Sequence, residues 1–285
     1  MIPIQQSLSY AAARLSAAGV PSPQADAELL LGHVLGLGRG EVAARSFSGG
    51  SLDAGDALAF DALIVRRVAR EPLQHLTGVA YFRQLALAVG PGVFVPRPET
   101  ELVAQFAIDA LAAVASPEPI AVDLGTGSGA IAISLATEVP HARVYAVEVS
   151  PDAFVWAKQN ARSAASENLT LVLADLADAL PELDGSVDVV VSNPPYIPLG
   201  AVPRDPEVRF HDPEVALYGG ADGLDLVRAL DATARRLLRV GGVLVIEHGE
   251  LQGTAIAELL RASGWRAVST HPDLLGRPRS TTALR

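Results

Sequence analysis

The residues with the clearest chemical potential are Ser192-Asn193-Pro194-Pro195-Tyr196, here called the proline corner, which follow the apolar run 187–191. The apolar run predicts a buried strand, so the corner leaves its carboxyl end, where open α/β sheets bind ligands. Residues before proline are held extended, and proline has no N–H, so the corner is rigid while its carbonyls remain free to accept hydrogen bonds. The Asn193 side chain adds another acceptor oxygen. A planar –NH2 group fits this pair of acceptors, with the Tyr196 ring beside it; the alternative is a structural proline-rich loop.

A second candidate site follows the apolar run 120–124. Gly125-Thr126-Gly127-Ser128-Gly129, here called the glycine turn, leads into a helical pattern. Glycines let the backbone approach a ligand, and the first turn of a helix offers free N–H groups. The G-x-G-x-G spacing is one residue tighter than that of dinucleotide binders, which disfavours an NAD-dependent dehydrogenase.

Acidic residues end two further predicted strands. Glu148 lies about 20 residues beyond the glycine turn, where a carboxylate accepts from both hydroxyls of a ribose. Asp175 follows the third strand, where it either edges an adenine or caps a helix. Together these residues describe a pocket for an adenosine without a pyrophosphate, and S-adenosylmethionine (AdoMet) fits that description.

Alternating strands and helices from residue 120 onward predict the element that positions these groups. The pattern is typical of a mostly parallel, doubly wound α/β sheet. The predicted strands are residues 120–124, 143–147, 169–173, 187–191, 243–247, 265–268 and 280–284. The main helices are predicted at residues 101–115, 224–239 and 254–263.

The amino-terminal part has a different pattern. Residues 1–75 are predicted to form a small helical bundle, whose third helix carries Leu58, Ala62 and Val65 at one helical spacing. Residues 76–98 predict a β-hairpin linker, and residues 99–285 the α/β domain. Within the linker region, Arg97 and Glu99 form either a rigid helix start or a wall of the active site, and Thr100 is expected to cap the following helix.

Composition limits the classes of function. The 285 residues include no cysteine, 49% hydrophobic and 19% charged residues, and a formal net charge of −10. A protein that grips long nucleic acid through phosphates is disfavoured by this charge. The amino terminus lacks a signal-peptide pattern, and no apolar run approaches the ~20 residues of a membrane span. We therefore expect a cytoplasmic protein, without a thiolate metal site, that needs no state beyond a monomer.

Motifs along nearly the whole chain carry a family resemblance. They are residues 26–31 (DAELLL), 70–78 (REPLQHLTG), 93–101 (VFVPRPETE), 123–129 (DLGTGSG), 192–197 (SNPPYI), 212–224 and 276–279 (GRPR). The sequence resembles the AdoMet-dependent methyltransferases, and among them the protein-(glutamine-N5) methyltransferases of the HemK/PrmC type, which modify peptide-chain release factors. DNA amino methyltransferases carry a similar corner, and the linker and helical motifs decide between the two.

The resemblance implies a Rossmann-like seven-stranded methyltransferase sheet with a small helical substrate-recognition domain. It implies methyl transfer from AdoMet, giving S-adenosylhomocysteine, to the glutamine of the GGQ motif in a release factor. The alternatives are an N6-adenine methyltransferase acting on nucleic acid and a non-catalytic AdoMet-binding protein. The implied catalytic residues are Asn193, Pro194, Pro195 and Tyr196; the implied cofactor-binding residues are Gly125, Thr126, Gly127, Ser128, Gly129, Glu148, Asp175, Leu176 and Asn193.

Three positions depart from the family pattern. Glu148 stands where aspartate is usual, and its longer side chain should still reach the ribose. Leu176 stands where a tryptophan is common, which removes an aromatic contribution to the adenine pocket. Asp212 replaces the usual glutamate.

Overall fold

Helices dominate the amino-terminal part of this computed structural model, which describes residues 1–285. The chain divides into one unit of residues 1–79 and 203–211 and another of residues 80–202 and 212–285. The first unit contains, in chain order, β1 (Ile2–Pro3), α1 (Ile4–Ala17), α2 (Pro23–Leu35), α3 (Arg39–Phe47), β2 (Ser51–Leu52), α4 (Ala54–Val68) and α5 (Leu73–Thr77). The two short strands pair antiparallel.

The buried face of α4 differs from the prediction. Leu58 and Val65 are 73% and 51% exposed, whereas Phe60 and Ile64 are 4% and 1% exposed. Phe60 and Ile64 are four residues apart and therefore lie on one side of the helix, where they join the helical core. The predicted stripe was wrong because α4 carries apolar residues on two faces, and packing against the neighbouring helices selects one of them.

Segment 203–211 is held in the first unit by a buried charge network. Arg67 donates from Nη1 to Glu207 Oε1 at 2.7 Å, and Arg70 donates from Nη2 to Glu207 Oε2 at 2.5 Å. Arg67 also donates from Nε to Asp26 Oδ2 at 2.8 Å. The side chains of Arg67 and Glu207 are only 6% and 12% exposed. The network therefore joins a distant segment to α2 and α4.

This network predicts an acid-sensitive contribution to stability. Burial alone would raise the pKa of Glu207, but hydrogen bonds from Arg70 and Arg67 outweigh it and lower the pKa to about 2. Because the folded pKa is depressed, the contribution is present above the unfolded pKa and is lost as pH falls from about 4.5 towards 2. A shift of this size corresponds to an upper limit of roughly 3–4 kcal/mol.

We expect Glu207→Gln to lower the free energy of unfolding at pH 7 by roughly 2–3 kcal/mol. The difference from wild type should shrink as pH falls below 4.5, as measured by urea unfolding followed by circular dichroism. Asp61→Asn, which breaks an exposed ion pair with Arg14, is the control and should have little effect. Equal losses in the two variants would show that Glu207 has no special role.

The second unit begins with a hairpin. Strands β3 (Val79–Phe82) and β4 (Leu85–Ala88) form a two-stranded sheet. The remaining strands are β5 (Ile120–Leu124), β6 (Arg143–Glu148), β7 (Leu169–Leu173), β8 (Val187–Ser192), β9 (Leu238–Glu247), β10 (Arg266–Pro272) and β11 (Pro278–Leu284). The remaining helices are α6 (Thr100–Ala112), α7 (Ala130–Glu138), α8 (Pro151–Ser163), α9 (Pro206–His211, in the first unit), α10 (Asp225–Leu237) and α11 (Gly253–Ala262). Two 3₁₀ turns cover Pro181–Leu183 and Glu214–Ala216.

The seven strands form one sheet in the order β10-β11-β9-β8-β5-β6-β7. Strands β5 to β9 run parallel, and β11 pairs antiparallel with both β9 and β10. The chain reverses its direction of strand addition between β5 and β8, which is where doubly wound sheets form a ligand crevice. The predicted seven-stranded, mostly parallel sheet is confirmed.

Apolar side chains cover both faces of the sheet. Helices α6 and α7 pack on one face of the sheet, and α10 and α11 pack on the other. Each face has its own cluster of buried apolar side chains. Strand β8 is buried along its whole length, as a central strand covered on both faces must be. Because β8 is buried, it holds the proline corner in a fixed position at the carboxyl edge of the sheet. No helix has both the length and the apolar character that a membrane crossing requires.

Candidate active site

The proline corner leaves the carboxyl end of β8, between β5 and β9. The Ser192 hydroxyl donates to the Leu124 carbonyl at 2.6 Å, so the start of the corner is tied to the last residue of β5. Pro194 is buried, while Asn193 and Tyr196 are half-buried. The glycine turn follows Leu124 directly. The corner and the turn therefore lie at the same edge of two adjacent strands.

A later segment holds the outer side of the corner. The Ile197 N–H donates to the Leu217 carbonyl at 2.9 Å, and the Gly219 N–H donates to the Ile197 carbonyl at 2.9 Å. The Gln252 side chain donates to the Tyr196 carbonyl at 3.0 Å. Gly223 has a φ of +77°, and a Cβ added there would lie much closer to the Tyr196 carbonyl oxygen than van der Waals contact allows. Neither Gly223 nor Gln252 has a role that was predicted from the sequence.

The glycine turn is anchored to the neighbouring strand β6. The N–H groups of Gly125 and Thr126 donate to the Val147 carbonyl at 2.9 and 3.0 Å. A Cβ at Gly125 or Gly127 would meet no protein atom within 4 Å, although both residues have positive φ. The space above the turn is therefore open to a ligand.

Glu148 organises the edge of this space. Its Oε2 accepts from the Gly127 N–H and its Oε1 from the Ser150 N–H, both at 2.8 Å. The residue is 7% exposed. A carboxylate oxygen accepts more than one hydrogen bond, so both oxygens retain capacity for ligand hydroxyls. The Glu148 side chain is therefore held at the glycine turn by two backbone N–H groups.

The base of the turn contains a buried carboxyl. Asp123 Oδ2 accepts from the Thr126 hydroxyl at 2.6 Å and from the Ala132 N–H at 3.2 Å, whereas Oδ1 is buried with no hydrogen-bond partner. Burial raises the pKa of Asp123 to about 7, and the Thr126 hydrogen bond opposes that rise. An unsatisfied polar atom beneath the open turn fits a site that gains a polar partner when a ligand binds.

Asn160 on α8 links the turn to the hairpin. Its side-chain amide donates to the Ser128 carbonyl at 2.9 Å and the Ala88 carbonyl at 3.0 Å, and accepts from the Ala88 N–H at 2.7 Å. Asn160 is buried, and sequence reasoning missed it. A polar residue on the apolar face of α8 was the available signal. Gly129, which directly precedes α7, is its N-cap residue and has a φ of +86°.

The loop after β7 places Asp175 and Leu176 differently from each other. Asp175 is exposed, and its Oδ1 accepts from the Ala177 N–H at 2.9 Å in a turn. No helix follows it, so the alternative of a helix cap was wrong. Leu176 is half-buried against the apolar cluster on one face of the sheet.

The linker residues form ion pairs near the corner. Arg97 donates to the buried Asp212 carboxylate at 2.7 Å, and Arg277 donates to Glu99 at 2.9 Å. Burial raises the pKa of Asp212 to about 6 against the opposing charge of Arg97. Arg97 and Glu99 are close enough to influence the Tyr196 hydroxyl, whose pKa burial raises to about 12.

Thr100 and Glu247 lie next to the Asn193 side chain. Helix α6 begins at Thr100 and its N-cap residue is Glu99, so the expectation that Thr100 caps this helix was wrong. The Thr100 hydroxyl oxygen instead accepts from Asn193 Nδ2 at 3.3 Å. Glu247 ends β9 and is 2% exposed. Burial raises the pKa of Glu247 to about 7, and hydrogen bonds from Thr100 and Asn193 oppose that rise.

Comparison with known proteins places this chain in a family. A family model described as the PrmC N-terminal domain matches residues 6–78, and one described as a methyltransferase domain matches residues 117–269. The release factor glutamine methyltransferase of Streptomyces coelicolor is 51% identical over 280 residues, which cover 98% of this chain and 96% of that protein. The chain belongs to the release factor glutamine methyltransferase family.

One relative has a different described substrate. The 4-amino-L-phenylalanine/4-methylamino-L-phenylalanine methyltransferase of Streptomyces pristinaespiralis is 40% identical over 275 residues, which cover 94% of this chain and 91% of that protein. Among solved structures, the catalytic domain of hMettl16 in complex with the MAT2A 3′UTR hairpin 6 covers 78% of this chain and 80% of its own, with a TM-score of 0.56 and 17% identity. That likeness shows the fold alone. The chain is thus a methyltransferase in family and in fold.

Proposed function

We propose that this enzyme transfers a methyl group from AdoMet to the side-chain amide nitrogen of the glutamine in the GGQ motif of a class 1 peptide-chain release factor. The observation that carries the proposal is the placement of the proline corner and the glycine turn on adjacent strands, β8 and β5. This arrangement brings an –NH2 acceptor and an open backbone cradle to one edge of the sheet. The 51% identity to a release factor glutamine methyltransferase, over 98% of this chain, supports the choice of substrate.

The residues around the glycine turn fit AdoMet. Its adenosine would lie against the turn, with its ribose hydroxyls on Glu148 and its adenine towards Asp175 and Leu176. The open space above Gly125 and Gly127 supports this assignment. When bound, AdoMet supplies a methyl group activated by its sulfonium. Thr126, Ser128 and Gly129 complete the cradle by fixing the backbone of the turn.

The proline corner acts by placement. A carboxamide nitrogen is a poor nucleophile because its lone pair is delocalised into the carbonyl. In our proposal the Asn193 Oδ1 and the Pro194 carbonyl oxygen accept the two N–H groups, which favours a more pyramidal nitrogen and stabilises positive charge that develops on it. Pro195 stiffens the corner and the Tyr196 ring packs against the amide plane. Such alignment contributes several kcal/mol, roughly 7–11 in ideal cases.

We further propose that residues 1–75 recognise the release factor, that residues 76–98 act as a linker, and that residues 99–285 carry out methyl transfer. The net charge of −10 favours a protein substrate over stable binding to nucleic acid. The proposed working form is a cytoplasmic monomer. Size-exclusion chromatography with light scattering tests the monomer, and a gel-shift assay tests nucleic-acid binding.

Mass spectrometry of a release factor incubated with the enzyme and AdoMet tests the proposed reaction. We expect one added methyl group, located by fragmentation on the glutamine of the GGQ motif. A release factor with that glutamine replaced by alanine is the matched control and should gain no methyl group. Methylation elsewhere on the factor, or none, would contradict the proposal.

A second candidate substrate is an aromatic amine, because a relative that matches 94% of this chain carries that description. The nitrogen of 4-amino-L-phenylalanine is also an –NH2 group on a planar system, and the same two acceptors fit it. Parallel assays with 4-amino-L-phenylalanine and the release factor at equal concentration distinguish the candidates. Preferential methylation of the free amino acid would favour the second.

Glu148→Ala should weaken AdoMet binding. It removes the acceptor for two ribose hydroxyls and frees the Gly127 N–H, and a lost charge-assisted hydrogen bond costs about 1.5–3 kcal/mol. We expect a 10- to 100-fold increase in Kd by calorimetry, and Glu148→Asp should recover most of the affinity. An unchanged Kd in Glu148→Ala would contradict the assigned role.

A further inference from the structure

The side-chain amide of Asn193 has two possible orientations that differ by exchange of oxygen and nitrogen. Only one of them presents an acceptor to a substrate –NH2 group; the other presents a second –NH2 group, which repels it. The proline corner fixes the backbone of Asn193 but does not select between the two orientations. Groups that contact the side chain must make that selection.

Two buried side chains supply the selection. Asn193 Nδ2 donates to Thr100 Oγ1 at 3.3 Å, and the Asn193 amide lies close enough to the Glu247 carboxyl to lower its pKa as a hydrogen-bond donor. The Thr100 hydroxyl lowers the pKa of that same carboxyl in the same way, as a hydrogen-bond donor. Because the single hydroxyl proton is used towards Glu247, the Thr100 oxygen is left as an acceptor for Asn193. The carboxyl therefore fixes the direction of these hydrogen bonds: it accepts from Thr100, and the Thr100 oxygen accepts from Asn193.

We propose that Thr100 and Glu247 are positioning residues that hold the Asn193 amide with its nitrogen towards the protein and its oxygen towards the substrate nitrogen. This inference rests on the proposed function and deepens it. Both residues are buried, at 4% and 2% exposure, so water does not compete for these hydrogen bonds. Thr100 lies at the first position of α6 and Glu247 at the last position of β9, two rigid elements at the edge of the corner.

The second oxygen of Glu247 is consistent with this direction. Glu247 Oε2 is buried without a hydrogen-bond partner, so the hydrogen bonds from Thr100 and Asn193 reach Oε1. The charged neighbours are Arg279, which favours the ionised carboxylate, and Glu99, which opposes it.

The test uses substitutions that keep or remove the hydrogen bonds at nearly constant volume. Thr100→Val removes the hydroxyl, and Thr100→Ser keeps it. We expect Thr100→Val to lower kcat for release factor methylation about tenfold or more, because a misdirected amide loses one oriented hydrogen bond in the transition state. Thr100→Ser should retain at least about half of wild-type kcat. The Kd for AdoMet should be unchanged in both.

Coupling to Asn193 separates positioning from a structural role. If Thr100 acts through Asn193, Thr100→Val should cost less than about twofold in an Asn193→Ala background. The same fold-loss in both backgrounds would overturn the inference while leaving the proposed function intact. If Thr100→Val does not fold, two variants of Glu247 replace the pair. Glu247→Gln keeps an acceptor and should retain most of kcat, whereas Glu247→Met removes the acceptor and should lower kcat. Absence of methylation by the wild-type enzyme would instead contradict the proposed function itself.

Discussion

Asn193→Ala is expected to lower turnover by roughly 10²–10³-fold while AdoMet binding remains largely intact, because the substitution removes an oriented acceptor at the reacting nitrogen. The backbone of the proline corner should keep its shape, since Pro194 and Pro195 restrict it independently of the Asn193 side chain. Calorimetry with AdoMet and a methyl-transfer assay on the release factor measure the two properties separately.

The matched control for Asn193→Ala is Asn168→Ala. Asn168 donates to the carbonyls of Ala136 and Ala142 at the opposite, amino-terminal end of the sheet. Its loss should reduce stability by about 1–3 kcal/mol, the cost of leaving buried acceptors unpaired, with kcat nearly unchanged. Near-normal turnover of Asn193→Ala would defeat the proposed role of the corner.

Gly223→Ala is expected to reduce turnover roughly 10- to 100-fold, because a displacement of about 1 Å at a reacting group costs this much. A Cβ at Gly223 would collide with the Tyr196 carbonyl oxygen and lie 2.7 Å from Gln252 Nε2, which donates to that same carbonyl. The corner must therefore move away from Gly223. A methyl-transfer assay at saturating AdoMet measures the loss.

Gly264→Ala separates this collision from backbone strain. Gly264 has a φ of +87°, close to the +77° of Gly223, but a Cβ there meets no atom within 4 Å. Both variants should lose about 1 kcal/mol of stability from the left-handed conformation. Only Gly223→Ala should also lose activity. If the two variants have the same kcat, the segment after Gly219 does not position the corner.

Much of the α/β domain follows from the sequence because parallel strands buried on both faces are continuous apolar runs. The predicted strands 120–124 and 169–173 coincide with β5 and β7. Strand β9 begins five residues earlier than predicted, at Leu238, because Gly241 and Gly242 interrupt its apolar pattern without ending the strand. The glycine turn follows β5 directly, so its place at the sheet edge was also predictable.

Features that depend on long-range packing were not predictable. Residue Glu247 reads as a surface charge after an apolar strand, and only the tertiary structure brings Thr100, 147 positions earlier in the chain, to its carboxyl and to Asn193. The same holds for Gly223, whose requirement for glycine comes from the Tyr196 carbonyl and not from its neighbours in sequence. In α4, two apolar stripes compete, and the sequence does not say which one meets the other helices.

A structure of the enzyme with S-adenosylhomocysteine and the release factor tests the central claim most directly. The account predicts that the amide nitrogen of the GGQ glutamine lies about 3 Å from both Asn193 Oδ1 and the Pro194 carbonyl oxygen. It also predicts that Asn193 Nδ2 remains on Thr100. A glutamine whose carbonyl oxygen faces Asn193, or whose nitrogen is bound by other groups, would contradict it.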